Sequence, residues 1–230
     1  MAIGDDESLS LSADTLAALQ SFMAEKQAID DKFEQLKGKA EQDFDTKQLE
    51  ITMDMFQEDW QLSQFWYDDT TANFLADTAL RNTEASDYVA FISAPTAYVA
   101  LRRKDIAARP NAHLFEFDQR FSVFNDQFVL YDYNKPTDFV EADALKGKFK
   151  FIYTDPPFLN KDCLGKMIRT MKFLAAPGCK IMIVTGAVME KQAEVEIGAR
   201  ATGFAPTHRG GLSNEFLCYT TFEDELLKWV

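Results

Sequence analysis

The sequence predicts an α/β fold, a mixed sheet with helices packed on it, preceded by a helical N-terminal segment. Three observations predict it. From residue 88 onward, short apolar runs alternate with helix-compatible stretches, the order that builds parallel strands joined by crossover helices. The last apolar run instead follows GFAPTHRGGLSN, whose glycines and proline read as loop, so it returns as an antiparallel hairpin strand at the edge of a mixed sheet. The 230 residues, 47% hydrophobic and 27% charged, are enough for one substantial core and too few for two large domains.

Each element follows in order. Ser12 is placed to cap a helix carrying Leu16, Leu19, Phe22, Met23, Ile29, Phe33 and Leu36 at three- and four-residue spacing. The polar, aperiodic GKAEQDFDTKQLE reads as a linker, which divides the chain into an acidic helix and linker over 1–50 and a main domain over 51–230. DWQLSQFWYDDTTANFLADTALRN gathers Trp60, Phe65, Trp66 and Tyr67 before a helix containing Phe74, Leu75 and Leu80. So much aromatic surface must pack or bind. Strands are predicted over 88–93, 112–117, 127–132, 149–154, 179–186 and 215–222, with helices over 96–108 and 162–175.

Composition narrows the function. The formal net charge is -13, and residues 1–60 hold 15 of the 37 acidic side chains but only 5 of the 24 basic ones. A protein whose chief task is gripping DNA or RNA needs a basic footprint, which neither half supplies; a basic protein partner fits better. The first residues lack a basic stretch followed by an apolar one, and no run of 18 apolar residues exists, so neither secretion nor membrane spanning is expected. Cys163, Cys179 and Cys218 are odd in number and without CxxC spacing, which favours a reducing, cytoplasmic setting over a disulfide scaffold. With His113 and His208 far apart and no HExxH, no metal site is predicted.

The sharpest motif is Asp155-Pro156-Pro157-Phe158, directly after the apolar run FKFIYT. Ligands of open α/β sheets bind beyond the C-terminal strand ends, where this tetrapeptide falls. Its prolines remove amide donors and leave carbonyl acceptors, Asp155 adds a carboxylate, and Phe158 adds a ring face. Together they suit a donor-rich nitrogen whose lone pair is aimed at an electrophile. The plainer reading is a prolyl turn with a capping aspartate and a core phenylalanine. Ser93-Ala94-Pro95-Thr96, Glu116-Phe117-Asp118 and Asp132-Tyr133-Asn134 stand at the preceding strand ends, where an adenosine-containing cofactor needs acceptors for its ribose hydroxyls and adenine amine. Asp118 and Asp132 are spaced for those roles, or simply open solvated loops. Neither GxGxxG nor GxxxxGK[ST] follows the first strand, which argues against dinucleotide and P-loop chemistry. Ser93 and Ser213 lack a nucleophile-elbow context, and His208 reads as a surface or satisfied loop histidine.

These residues resemble the class I S-adenosylmethionine-dependent methyltransferases with a [DN]PP[FYW] motif. More closely, the chain resembles the eukaryotic elongation factor 1-alpha lysine methyltransferase family, once considered N6-adenine methyltransferases. DWQLSQFWY, FISAPTAY, LFEFDQRF, FVLYDYNKP, YTDPPFLNKDCL, TGAVME and LSNEFLCY carry the resemblance, which spans roughly residues 10 to 222. It implies a Rossmann-like, seven-stranded sheet with an antiparallel last strand and S-adenosyl-L-methionine as cofactor. It also implies a cytoplasmic enzyme that methylates a lysine of elongation factor 1-alpha, with no stable nucleic acid partner. The cofactor site maps onto Gln64, Phe65, Trp66, Ser93, Ala94, Pro95, Asp118, Asp132 and Asp155, while Asp155, Pro156, Pro157 and Phe158 border methyl donor and acceptor. Glu116, two positions before Asp118 on the same strand face, is the alternative ribose acceptor. SAPTAY replaces the usual glycine-rich turn.

Such a transfer needs no protein nucleophile; it needs alignment and electrostatics. A lysine of reference pKa about 10.4 costs roughly 4–5 kcal/mol to present as a neutral amine at pH 7. Asp155 and a neighbouring carbonyl orient that amine, Phe158 packs on its stem, and the acidic N-terminal helix recruits a basic protein surface. Two readings stand beside this one. Adenine N6 presents an amine to the same acceptors, and a noncatalytic adenosine-binding scaffold keeps the sheet without the chemistry.

Overall fold

The computed structural model describes residues 51–212 and 215–230, and eleven helical positions between Thr15 and Asp31. The chain divides into two units, Met1–Leu49 and Glu50–Val230. The eleven positions are part of the predicted N-terminal helix; its Ser12 cap, Phe22, Ile29, Phe33, Leu36 and the linker lie outside the described residues.

Within Glu50–Val230, seven strands form one sheet: β1 Tyr88–Ile92, β2 Asn111–Glu116, β3 Phe128–Leu130, β4 Phe149–Thr154, β5 Ala175–Gly186, β6 Arg200–Ala201 and β7 Phe216–Thr220. Their order is β3-β2-β1-β4-β5-β7-β6. β1 to β5 run parallel, and β7 runs antiparallel to both neighbours. The antiparallel last strand is as expected, but it is not the edge. The two-residue β6, too short to leave a period-2 signal in the sequence, pairs with β7 and takes that place.

Helices α1 Asp69–Arg81, α2 Pro95–Arg102, α3 Ala142–Leu145, α4 Lys161–Leu174 and α5 Glu190–Ile197 connect or flank these strands. The stretch predicted as one helix over 96–108 breaks after Arg102. Asp105 accepts from Ala107 N at 3.0 Å and caps a separate 3-10 turn, Ile106–Ala108, in place of a continued helix.

Alternation along the strands sends apolar side chains to both faces of the sheet. Ala90, Ile92, Phe115 and Ile152 join Leu164, Met167 and Met171 of α4 in one core. On the other face Phe91 meets Tyr98 of α2 edge-on at 5.9 Å and Tyr153 at 6.1 Å. Such burial of the strands on both sides is what near-continuous runs such as FKFIYT encode.

Asn160 starts α4 immediately beyond the Asp155–Phe158 turn, its Oδ1 accepting from Cys163 N at 2.9 Å. Asn160→Ala leaves that amide without its cap and is expected to cost about 1 kcal/mol, lowering Tm by roughly 2–4 °C in a thermal scan. An unchanged Tm would mean that the cap contributes nothing to the fold.

Candidate active site

The strand order reverses between β1 and β4, because the chain adds β2 and β3 on one side of β1 and then crosses to the other. Loops leaving β1 and β4 therefore diverge, and a crevice opens at their C-terminal ends. Hydrogen bonds hold its floor. Ser93 N donates to Phe115 O at 2.8 Å, and Asp155 N donates to Ile92 O at 3.0 Å, so the SAPT and DPPF turns sit side by side.

Here the described residues enclose a cavity of about 550 Å³. Its floor and walls are Ser93–Thr96, Glu116–Phe117, Tyr131–Asn134 and Asp155–Leu159; residues 61–67 close one side with His208, Leu212 and Phe216. Ser93 adopts φ 52°, a left-handed conformation that a serine holds only where its surroundings impose it. Pro95 begins α2, whose N-cap residue, Ala94, supplies no side-chain cap to the first-turn amides. At Gly186, a Cβ would lie 3.1 Å from Leu159 Cδ1, so a larger residue at the end of β5 would push the Leu159 side chain of the DPPF loop aside.

Of the carboxyl groups that line the cavity, Asp155 and Glu116 are the two shifted by burial. Burial pushes Asp155 up to about 7, opposed by the Tyr67 hydroxyl, which donates to Asp155 Oδ2 at 2.7 Å. Glu116 is also pushed up to about 7, first by burial and then by repulsion from Asp118 and Asp155, against hydrogen bonds from the Asp118 and Phe117 amides. A cation entering the cavity relieves both penalties, whereas an anion adds to them.

Of the residues predicted for the site, Gln64, Phe65, Trp66, Ser93, Ala94, Pro95, Asp132 and Asp155 through Phe158 all line this one cavity. Asp118 does not. Its carboxylate pairs with Arg120 at 2.6 Å and accepts from Gln64 Nε2 at 2.9 Å, so it is spent inside the wall. Glu116, the strand-end alternative, lines the cavity instead. Gln64 likewise uses its amide locally, with Oε1 accepting from Arg120 Nη2 at 2.9 Å. Trp66 is anchored by its indole N–H to Phe56 O at 2.9 Å and packs edge-on against Phe121, while Phe65 meets the exposed Trp60. Asp132 holds the backbone of its own turn, accepting from Asn134 N at 2.9 Å.

His208, read from the sequence as a loop histidine, lies in the cavity wall. Its ring lies 4.6 Å from that of Tyr67 and 5.0 Å from that of Phe216, and burial lowers its pKa. THRGG alone carries no signal for this, since the backbone pairing of His208 with Tyr67 joins segments far apart in sequence. Tyr67 itself stood out only as part of an aromatic cluster.

A family model described as "Probable N6-adenine methyltransferase" matches residues 58–224. The chain is 43% identical over 229 residues to "Protein-lysine N-methyltransferase EFM5" of Saccharomyces cerevisiae, covering 93% of this chain and 92% of that protein. It is 38% identical over 224 residues to "EEF1A lysine methyltransferase 1" of Homo sapiens, covering 96% of each.

Proposed function

The chain belongs to the EEF1A lysine methyltransferase family, and from that premise we propose that it transfers a methyl group from S-adenosyl-L-methionine to a lysine of translation elongation factor 1-alpha. The observation that carries this reading is the placement of Asp155 and its two prolines at the strand-order reversal, in the same cavity as Glu116. Bound there, the cofactor supplies an electrophilic methyl group on a positively charged sulfur.

The residues present fit that cofactor. Glu116, buried at the end of β2, is the acceptor for ribose hydroxyls. First-turn amides of α2 suit the carboxylate of a methionine moiety, and Asp132 and Phe117 border the adenine. Two carboxyls raised by burial match the positive charge of the sulfonium better than they match a phosphate-rich ligand.

Asp155 then orients the substrate. Among the described residues its Oδ2 is engaged by Tyr67 and no hydrogen bond reaches Oδ1, which accepts an N–H of the incoming amine. Carbonyls of the proline pair accept a second N–H, so the nitrogen lone pair points away from both acceptors and toward the methyl group. Phe158, 37% exposed and edge-on to Tyr133 at 6.0 Å, packs against the aliphatic lysine stem. The apolar walls disfavour the ammonium form and so lower the roughly 4–5 kcal/mol needed to present a neutral amine at pH 7. No described helix is long and apolar enough to cross a membrane. An elongation-factor substrate is consistent with work in the cytoplasm.

The test is transfer of labelled methyl from the cofactor to purified elongation factor 1-alpha, with DNA and RNA in parallel, followed by mass-spectrometric location of the label. Label on a lysine is expected. Label on adenine N6 would replace the reading with the nucleic acid one, and label on neither would leave a noncatalytic adenosine-binding protein.

A further inference from the structure

We infer that Tyr67 is a positioning residue for methyl transfer: its hydroxyl fixes one oxygen of Asp155 and thereby leaves the other to the substrate amine. The inference rests on the assignment of Asp155 as the amine acceptor and adds the group that aims it.

The geometry begins with burial. Tyr67 is 1% exposed, and a buried phenol must satisfy its hydroxyl. Tyr153 OH donates to Tyr67 OH at 3.2 Å, and Tyr67 OH donates to Asp155 Oδ2 at 2.7 Å. The chain of hydroxyls thus has one direction. It ends on a carboxylate that must accept, and a donor held against Oδ2 favours the ionised acid.

Tyr67 is itself held from a distant part of the sequence. Tyr67 and His208 form an isolated antiparallel bridge, Arg209 N donates to Trp66 O at 2.9 Å, and Asp68 N donates to Thr207 O at 3.1 Å. Arg209 adds ion pairs to Asp54 at 2.7 Å and Asp69 at 3.1 Å. The His208 ring covers one face of the phenol. These contacts hold the Tyr67 ring where its hydroxyl meets Asp155.

Among the described residues, the titratable groups around Asp155 are Tyr67, Tyr153 of β4, Glu116 at the end of β2, His208 behind the Tyr67 ring, Cys218 of β7 beside Tyr153, and Asp132 in the same cavity lining. Of these, Tyr67 is the one whose hydrogen bond opposes the burial of Asp155. Removing it raises the pKa of Asp155.

The test is Tyr67→Phe, read in two ways. Carboxyl ¹³C NMR of the cofactor-free protein, with the Asp155 signal assigned from Asp155→Asn, is expected to show the Asp155 titration moving up by about one pH unit. The ratio of variant to parent kcat, in which titration of the substrate amine cancels, is expected to rise about tenfold as pH increases. A purely structural role would lower that ratio equally at every pH. An unmoved Asp155 titration, or a ratio that is flat with pH, overturns the inference. The NMR arm uses neither cofactor nor substrate, so its failure is distinct from failure of the lysine-methylation reading, which the parent protein's labelling tests. Should Tyr67→Phe not fold, Tyr153→Phe removes the donor that sets the direction of the Tyr67 hydroxyl. A smaller upward movement of Asp155 is then expected, and none would count against the inference.

Discussion

Replacing Asp155 with alanine is expected to lower kcat for methyl transfer by about 10²–10³-fold, the usual loss when one preorganised polar group at a reacting centre is deleted. The variant loses the carboxylate that the DPPF turn places at the strand-order reversal, while its neighbouring prolines still set the course of the turn. Cofactor affinity should change far less, because Glu116 and the start of α2 are untouched. Isothermal titration calorimetry and single-turnover labelling separate the two effects. Turnover within threefold of the parent would remove Asp155 from the mechanism.

The same carboxyl has an opposite effect on stability. Its folded pKa of about 7 lies above its ordinary value of 3.8. The unfolded chain therefore ionises first as pH rises, the folded protein binds more protons between those two values, and stability falls across that window. Above about pH 7 the loss is complete. Asp155→Asn, which cannot ionise, should lose less Tm between pH 4 and pH 8 than the cofactor-free parent in thermal scans. The site is thus paid for in fold stability, in keeping with a carboxylate whose burial the Tyr67 hydrogen bond offsets only in part.

Glu116→Ala is expected to weaken S-adenosyl-L-methionine binding by roughly 10–100-fold, the range for losing hydrogen bonds to a charged acceptor. Affinity of the parent should rise as pH increases through about 7, since an ionised Glu116 would accept from ribose hydroxyls more strongly than a protonated one. Glu116→Gln should flatten that dependence. Calorimetric titration at several pH values measures both effects, and a parent affinity independent of pH between 6 and 8 would place the ribose elsewhere.

How much of this was legible in the sequence depends on the range of the interaction. FKFIYT gave β4 over Phe149–Thr154 without error, because a strand buried on both faces writes itself as a continuous apolar run. DPPF fixed the position of the principal turn, since two prolines restrict the backbone whatever surrounds them. At the end of β2, Glu116 and Asp118 were indistinguishable by type and spacing. Arg120, two residues after Asp118, was a signal that this carboxylate had a local partner, and the structure shows them paired at 2.6 Å.

The sequence by itself determined the α/β class, the strand positions that matter, the acidic balance and the motif at the end of β4, all of which follow from local periodicity, turn chemistry and composition. Tertiary structure alone decided that Glu116 faces the cavity while Asp118 faces its wall, that His208 covers Tyr67, and that Tyr67 reaches an aspartate 88 residues away. The reason is physical: backbone preferences act over a few residues, whereas a buried hydroxyl or carboxyl takes its partner from whatever the packing of the sheet and its loops brings within 3 Å.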